Sequence, residues 1–214
     1  MHIREKMRFL FWPLVSFRRI FLRKDSFLHK TGWYHSVKLS KPLTKEGEPI
    51  PWMNYAVISF LDERLNKSLV MFEFGSGYST LFFASRVKAI TSVEYDLAWF
   101  EKMKGMCPEN AKILFTPVDN SGDYIRSVSS TQLNYDVIMI DGRDRVNCLK
   151  AGMKQLSERG VFILDDSHRK AYSEAFKSSV EQGFRHIHFE GLKPTGHEIE
   201  RTTIFYRDGN CLGI

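Results

Sequence analysis

The residues of this 214-residue chain best able to do chemistry are glycines and acids gathered at a few places. The segment Phe72-Glu73-Phe74-Gly75-Ser76-Gly77-Tyr78-Ser79-Thr80 joins an apolar run to an amphipathic one. Glycines at 75 and 77 let backbone approach a ligand closely, and a helix starting there offers unpaired N–H groups and a positive dipole end. Nineteen residues beyond Gly75 stands Glu94, in Ser92-Val93-Glu94-Tyr95-Asp96. An acid at that distance, at the tip of a second strand, is placed to accept hydrogen bonds from both hydroxyls of a ribose.

A second group follows in Ile140-Asp141-Gly142-Arg143-Asp144-Arg145 and Leu164-Asp165-Asp166-Ser167-His168-Arg169. If both segments end strands of one parallel sheet, their carboxyl ends open onto the same crevice and bring Asp141, Asp165, Asp166 and His168 together. His168 is a candidate general base for a hydroxyl proton, with capping of the next helix as its structural alternative. Asp165 could equally accept backbone N–H groups in its turn. Arg143, Arg145 and Arg169 share the rim, where they either neutralise these acids or hold an anionic acceptor such as a uronate or phosphate.

The elements that must position these groups are legible in the hydrophobic pattern. From Leu69 onward short apolar runs alternate with longer amphipathic ones, the pattern of a parallel sheet covered by helices. Strands are expected at 69–74, 89–94, 112–118, 135–140, 160–165, 185–190 and 201–207. Helices are expected at 78–86, 97–105, 145–157 and 170–182, with a short one near 124–129 and another, from Trp52 to Leu65, ahead of the first strand. Gly32 to Pro51 is rich in turn formers and reads as irregular.

The net charge of +6 is unevenly placed: residues 1–45 carry 11 Lys/Arg against 2 Asp/Glu, leaving a net −3 for residues 46–214. That argues against nucleic-acid binding, which needs clustered cations on the folded domain itself. Cys107, Cys148 and Cys211 suggest neither a disulfide framework nor a zinc cluster, so a reducing cytoplasm is expected. In residues 3–24 large apolar side chains mix with Arg and Lys, and the longest uncharged run, residues 9–17, is too short to span a bilayer. Two readings of this arm stand: an anchor at the inner face of the membrane, or a helix packed on the domain or on a second subunit. Pro13 is expected to interrupt its helical pattern. Residues 1–51 thus form a basic arm and lead-in, and residues 52–214 the catalytic domain.

In Glu73-x-Gly75-x-Gly77 with Glu94, the chain resembles the class I S-adenosylmethionine-dependent methyltransferases over residues 69–207. The resemblance implies an α/β fold with a Rossmann-like seven-stranded, mostly parallel sheet, helices on both faces and the last strand antiparallel. It implies S-adenosylmethionine as cofactor, with Glu73 near the methionine ammonium, Gly75, Ser76 and Gly77 lining methionine and ribose, Glu94 on the ribose, and Asp119 beside the adenine amine. Ser79 stands where the fuller signature has a third glycine. The loop at Asp119 and Asn120 also reads as a plain turn.

The acids Asp141, Asp165 and Asp166 resemble those of the magnesium-dependent small-molecule O-methyltransferases, where a divalent ion holds the acceptor hydroxyls. The chain departs from that pattern in having Arg143 and Asp144 where a catalytic lysine would follow Asp141. Pro49-Ile50-Pro51-Trp52, Asp141-Gly142-Arg143 and the Asn210-Cys211-Leu212-Gly213-Ile214 terminus are similar to a narrower, uncharacterised group of bacterial methyltransferase-like proteins. That group is associated with surface-glycan and secondary-metabolite genes. The expected function is methylation of a hydroxyl on a sugar or other small polar acceptor, with Asp141, Asp166 and His168 as catalytic candidates, in a monomer or homo-oligomer. An aminopropyltransferase on the same fold and a non-catalytic, membrane-tethered cofactor-binding protein are the competing readings.

Overall fold

In the computed structural model, which describes residues 11–118 and 122–214, seven strands form one sheet in the order β3-β2-β1-β4-β5-β7-β6. These are β1 (Val70–Phe74), β2 (Ala89–Glu94), β3 (Ala111–Phe115), β4 (Tyr135–Ile140), β5 (Leu156–Leu164), β6 (Arg185–Leu192) and β7 (Ile199–Tyr206). The first five pair in parallel, and β7 inserts antiparallel between β5 and β6. The helices that follow the lead-in and flank the sheet are α1 (Tyr55–Arg64), α2 (Tyr78–Arg86), α3 (Leu97–Lys104), α4 (Asp123–Ser130), α5 (Arg145–Gly152) and α6 (Ser173–Glu181).

Strands buried on both faces read as continuous apolar runs, and β1, β4 and the second half of β5 are buried almost throughout. Alternate side chains serve opposite faces. Met71, Val137 and Met139 pack with Val57 and Leu61 of α1 and Phe82 and Phe83 of α2. Phe72, Phe74, Ile138 and Ile140 pack with Tyr124 and Val128 of α4 and Leu149 of α5.

The strand ends are pinned in register. Gly75 N–H donates to Val93 O at 2.9 Å, Asp141 N–H to Phe74 O at 3.0 Å and Asp165 N–H to Ile140 O at 3.2 Å. This ladder sets the glycine loop and the two acid-bearing loops side by side on the carboxyl edge of the sheet.

Several boundaries differ from those expected. β3 stops at Phe115 rather than 118, because Pro117 has no N–H to donate to a ladder. α1 begins at Tyr55, not Trp52, since the Asn54 side chain caps it by accepting from Val57 N–H at 3.0 Å. The helix expected over 145–157 ends at Gly152, where a Cβ would press on Ile138 and Phe162; a 3-10 turn (Met153–Gln155) then leads into β5. The helix expected over 170–182 opens as a 3-10 turn (Lys170–Tyr172) before α6.

The lead-in expected to be irregular contains a helix, Trp33–Leu39, and a bridge between Leu43 and Pro49. Ser36 Oγ both donates to and accepts from the Leu43 backbone, closing this segment on itself, and Ile50 enters the core. Residues 11–17 are helical through Pro13 and continue as a π-helical turn, Arg18–Leu22. Among the described residues no helix is long and apolar enough to cross a membrane.

Candidate active site

The loop after β1 is shaped by backbone needs. Gly75 has φ +100°, a left-handed conformation that glycine adopts without strain, and a Cβ there would also touch the Asp141–Gly142 peptide. Gly142 approaches the same loop from β4: a Cβ on it would fall on the Tyr124 hydroxyl and 3.0 Å from Gly75 N. The cleft floor is therefore bare backbone from two neighbouring strands.

Glu73 borders the cleft from the α2 side of the sheet. It is fully buried and accepts from Ser79 Oγ and Thr80 Oγ1, both at 2.5 Å, and from Ser92 Oγ at 2.7 Å. Burial raises its pKa, the three hydroxyl donors oppose that, and the nearby charge of Glu94 adds to it. Thr80 Oγ1 in turn accepts from Gly77 N–H at 3.0 Å, so Glu73 fixes the first turn of α2 through Thr80. Ser79, in the place of a third glycine, thus supplies one of the donors that hold Glu73.

Glu94 is 3% exposed and its carboxylate is fully engaged. One oxygen accepts from Ser76 N–H at 3.1 Å and Ser76 Oγ at 2.8 Å, the other from Tyr95 N–H at 2.8 Å and Asp96 N–H at 2.9 Å. Trp99, at the start of α3, donates its indole N–H to Ser76 O at 2.8 Å and clamps the loop from the far side. These residues, with Lys102 and Asp141, line a cleft of about 550 Å³. Tyr95, Trp99 and Lys102 escaped the sequence reading; the aromatic residues flanking Glu94 were the available signal.

A second cavity of about 440 Å³ shares Tyr95, Asp141 and Gly142 with the first and continues past Arg143, Arg145 and Arg169 to Tyr172. Asp141 lies at the junction. Its Oδ1 pairs with Arg145 at 2.8 Å, and its side chain retains 28% exposure. Burial and the charge of Asp165 raise its carboxyl to about 8, against the pull of Arg145 and Lys193.

Asp165 and Asp166 are buried behind this junction, clamped by Lys193. The Lys193 ammonium donates to Asp165 Oδ2 at 2.8 Å and Asp166 Oδ1 at 2.5 Å. Asp165 also accepts from Thr202 Oγ1 at 2.6 Å; its partners are these side chains rather than turn N–H groups. Asp166 further pairs with Arg169 at 2.6 Å and Arg145 at 3.5 Å. Burial alone would lift Asp166, but Lys193 and the two guanidiniums outweigh it and hold it low; Asp165, more deeply buried, is raised. Two of the three rim arginines therefore neutralise acids, while Arg143 lies over the Tyr95 ring at 5.1 Å. Lys193 belongs to the loop after β6, which also carries the exposed His197.

The acids Asp141, Asp165 and Asp166 come within 4.8 Å of one another, a spacing open to a metal ion. Their donor set does not fit magnesium: Lys193 occupies both Asp165 and Asp166, and Arg145 spans Asp141 and Asp166. His168, expected beside them, is exposed, sits 3.4 Å from Glu200 and lines neither cavity. The cause is local: Asp166 has φ +51°, which turns the chain away from the crevice before residue 168. Asp119, expected beside adenine, lies outside the described residues.

No protein-family model matches the chain, and no curated protein matches it. Solved structures do. Precorrin-6y C5,15-methyltransferase from Geobacter metallireducens aligns with a TM-score of 0.54 at 14% identity, over 71% of this chain and 87% of that one. The fold is that of the class I methyltransferases. A protein from Streptococcus mutans, described as a methyltransferase and solved in complex with SAH, aligns at 0.51 and 13% identity over 70% of this chain and 94% of that one. A Klebsiella pneumoniae protein described as an O-methyltransferase aligns at 0.50 and 16% identity, over 64% and 72%. At these identities the likeness is one of fold.

Proposed function

We propose that this chain is an S-adenosylmethionine-dependent methyltransferase acting on a hydroxyl of a sugar or other small polar acceptor. The observation that carries the reading is the pair of adjoining cavities with Asp141 at their junction, one built on the glycine loop and Glu94, the other on the arginine rim. The first cavity has the volume of a small-molecule site. Its bare floor at Gly75 and Gly142 and the carboxylate of Glu94 suit a nucleoside with a flexible amino-acid tail, and one structural neighbour holds SAH.

Within this reading Gly75, Ser76 and Gly77 bind the cofactor through backbone, and Glu94 exchanges its Ser76 hydrogen bonds for those of the ribose hydroxyls. Glu73 acts through Ser79 and Thr80 as a positioning residue, and the adenine amine is assigned to Asp119. When bound, S-adenosylmethionine supplies an electrophilic methyl group. Asp141, with Oδ2 unpartnered among the described residues, takes the acceptor's hydroxyl proton. Asp166, locked by Lys193 and Arg169, positions Arg145 and through it Asp141. His168 is given no catalytic part.

Titration calorimetry with S-adenosylmethionine and S-adenosylhomocysteine tests this. Both should bind the wild-type chain, and Glu94→Ala should weaken both at least tenfold. Absence of binding by either ligand at millimolar concentration contradicts the proposal.

A further inference from the structure

We propose that residues 11–24 dock the protein on an anionic lipid surface. Phe11, Trp12, Leu14, Phe17, Ile20 and Leu22 all stand exposed, Leu14 at 68% and Trp12 at 55%. Over the α-helical turns Phe11 and Val15 fall on one side, with Trp12 on one flank and Leu14 and Phe17 on the other. In the π-helical turn that follows, Ile20 and Leu22 share the turn with Arg18 and Arg19.

This distribution selects the occupant. Exposed aromatic and aliphatic side chains interleaved with Arg and Lys suit the boundary between headgroups and acyl chains, which satisfies both. A second copy of the segment would bury the apolar side chains but bring two sets of cations together. The helical residues 11–17 extend about 10 Å, roughly a third of the hydrocarbon thickness, so they reach into one leaflet only.

Charge is arranged to match. Arg18, Arg19 and Lys24 follow the apolar run, Arg23 is paired with Asp25, and no acid occurs between Glu5 and Asp25. Long basic side chains at this place bury their stems and lift their charges to the headgroups. The arm is also held to the body: Phe21 O accepts from Tyr34 Oη at 2.9 Å and lies 3.2 Å from His29 Nε2. The adjacent Trp33 donates to Gly196 O, in the β6–β7 loop at the carboxyl edge of the sheet. Docking would therefore bring the crevice edge towards the lipid surface.

The test is flotation of the full chain with vesicles of phosphatidylcholine, with and without about one third phosphatidylglycerol, at low and high salt. The expected result is flotation with anionic vesicles only, lost at high salt, and reduced at least tenfold by Leu14→Ser/Phe17→Ser and by Arg18→Glu/Arg19→Glu. Those side chains lie outside the core, so both variants should keep the wild-type melting temperature. Equal flotation of wild type and variants overturns the proposal. So does an arm-dependent dimer in sedimentation equilibrium that fails to bind anionic vesicles.

Discussion

Replacing Lys193 by Met keeps the apolar stem and removes the ammonium that bridges Asp165 and Asp166. Lys193 is 13% exposed and Asp165 only 1%, so the carboxylate is left buried without its counter-ion. Breaking a buried pair from one side costs about 3–5 kcal/mol. For a chain of this size, at roughly 2–4 °C per kcal/mol, the melting temperature should fall by about 6–20 °C. The pH dependence follows from the direction of the shift. Without Lys193 the folded-state pKa of Asp165, already raised, rises further, so the penalty is absent below the unfolded-state value and accumulates as pH climbs. Urea unfolding followed by tryptophan fluorescence should show a larger loss at pH 8 than at pH 5, and Asp165→Asn in the Lys193→Met background should recover most of it. A loss under about 1 kcal/mol at pH 8, or one equal at both pH values, would refute the claim that Lys193 neutralises this pair.

Four further outcomes are expected. Gly142→Ala should cost about 1–3 kcal/mol and weaken cofactor binding, because its methyl meets the Tyr124 hydroxyl and the Gly75 backbone. The Tyr124 hydroxyl is buried with no partner at full hydrogen-bond geometry among the described residues, so Tyr124→Phe should be close to neutral and should relieve part of the Gly142→Ala defect in thermal melts. If Asp141 is the base, kcat/KM should rise with pH through about 8, with the acid limb retained in His168→Ala and activity lost in Asp141→Asn. Glu73→Gln places a donor amide among three hydroxyl donors and should cost about 1–3 kcal/mol in urea unfolding, loosening the Gly77–Thr80 turn as reduced amide-exchange protection.

The parts of this molecule legible in its sequence are those governed by local rules. β1 and β4 are short apolar runs bounded by turns, and Gly75, Asp141 and Asp165 stand at strand ends that the parallel ladder then aligns. Element ends are harder to read where neighbours decide: Met153 and Leu156 continue a helical period, yet the helix ends at Gly152, where a Cβ would press on Ile138 and Phe162, and Leu156 pairs with Tyr135. The acid cluster shows the same division. Its carboxylates are visible in two short segments of sequence, but the cation that binds them, Lys193, arrives from a hairpin loop and looks like an ordinary turn lysine until β6 and β7 are placed. His168 beside Asp166 suggested a base; a single left-handed residue turns it outward. In Glu73 the acid was legible and its burial was not, because Ser92 reaches it from the neighbouring strand.

The central claim is that the crevice at the carboxyl edge binds an adenosyl cofactor through the glycine loop and Glu94. A crystal structure grown with S-adenosylhomocysteine tests it most directly. The expected density places the nucleoside among Gly75, Ser76, Glu94, Tyr95 and Trp99, with Glu94 released from Ser76 to the ribose hydroxyls and the sulfur directed towards Asp141. Ligand bound elsewhere, or an empty cleft with the Glu94–Ser76 hydrogen bonds intact at saturating ligand, would contradict it.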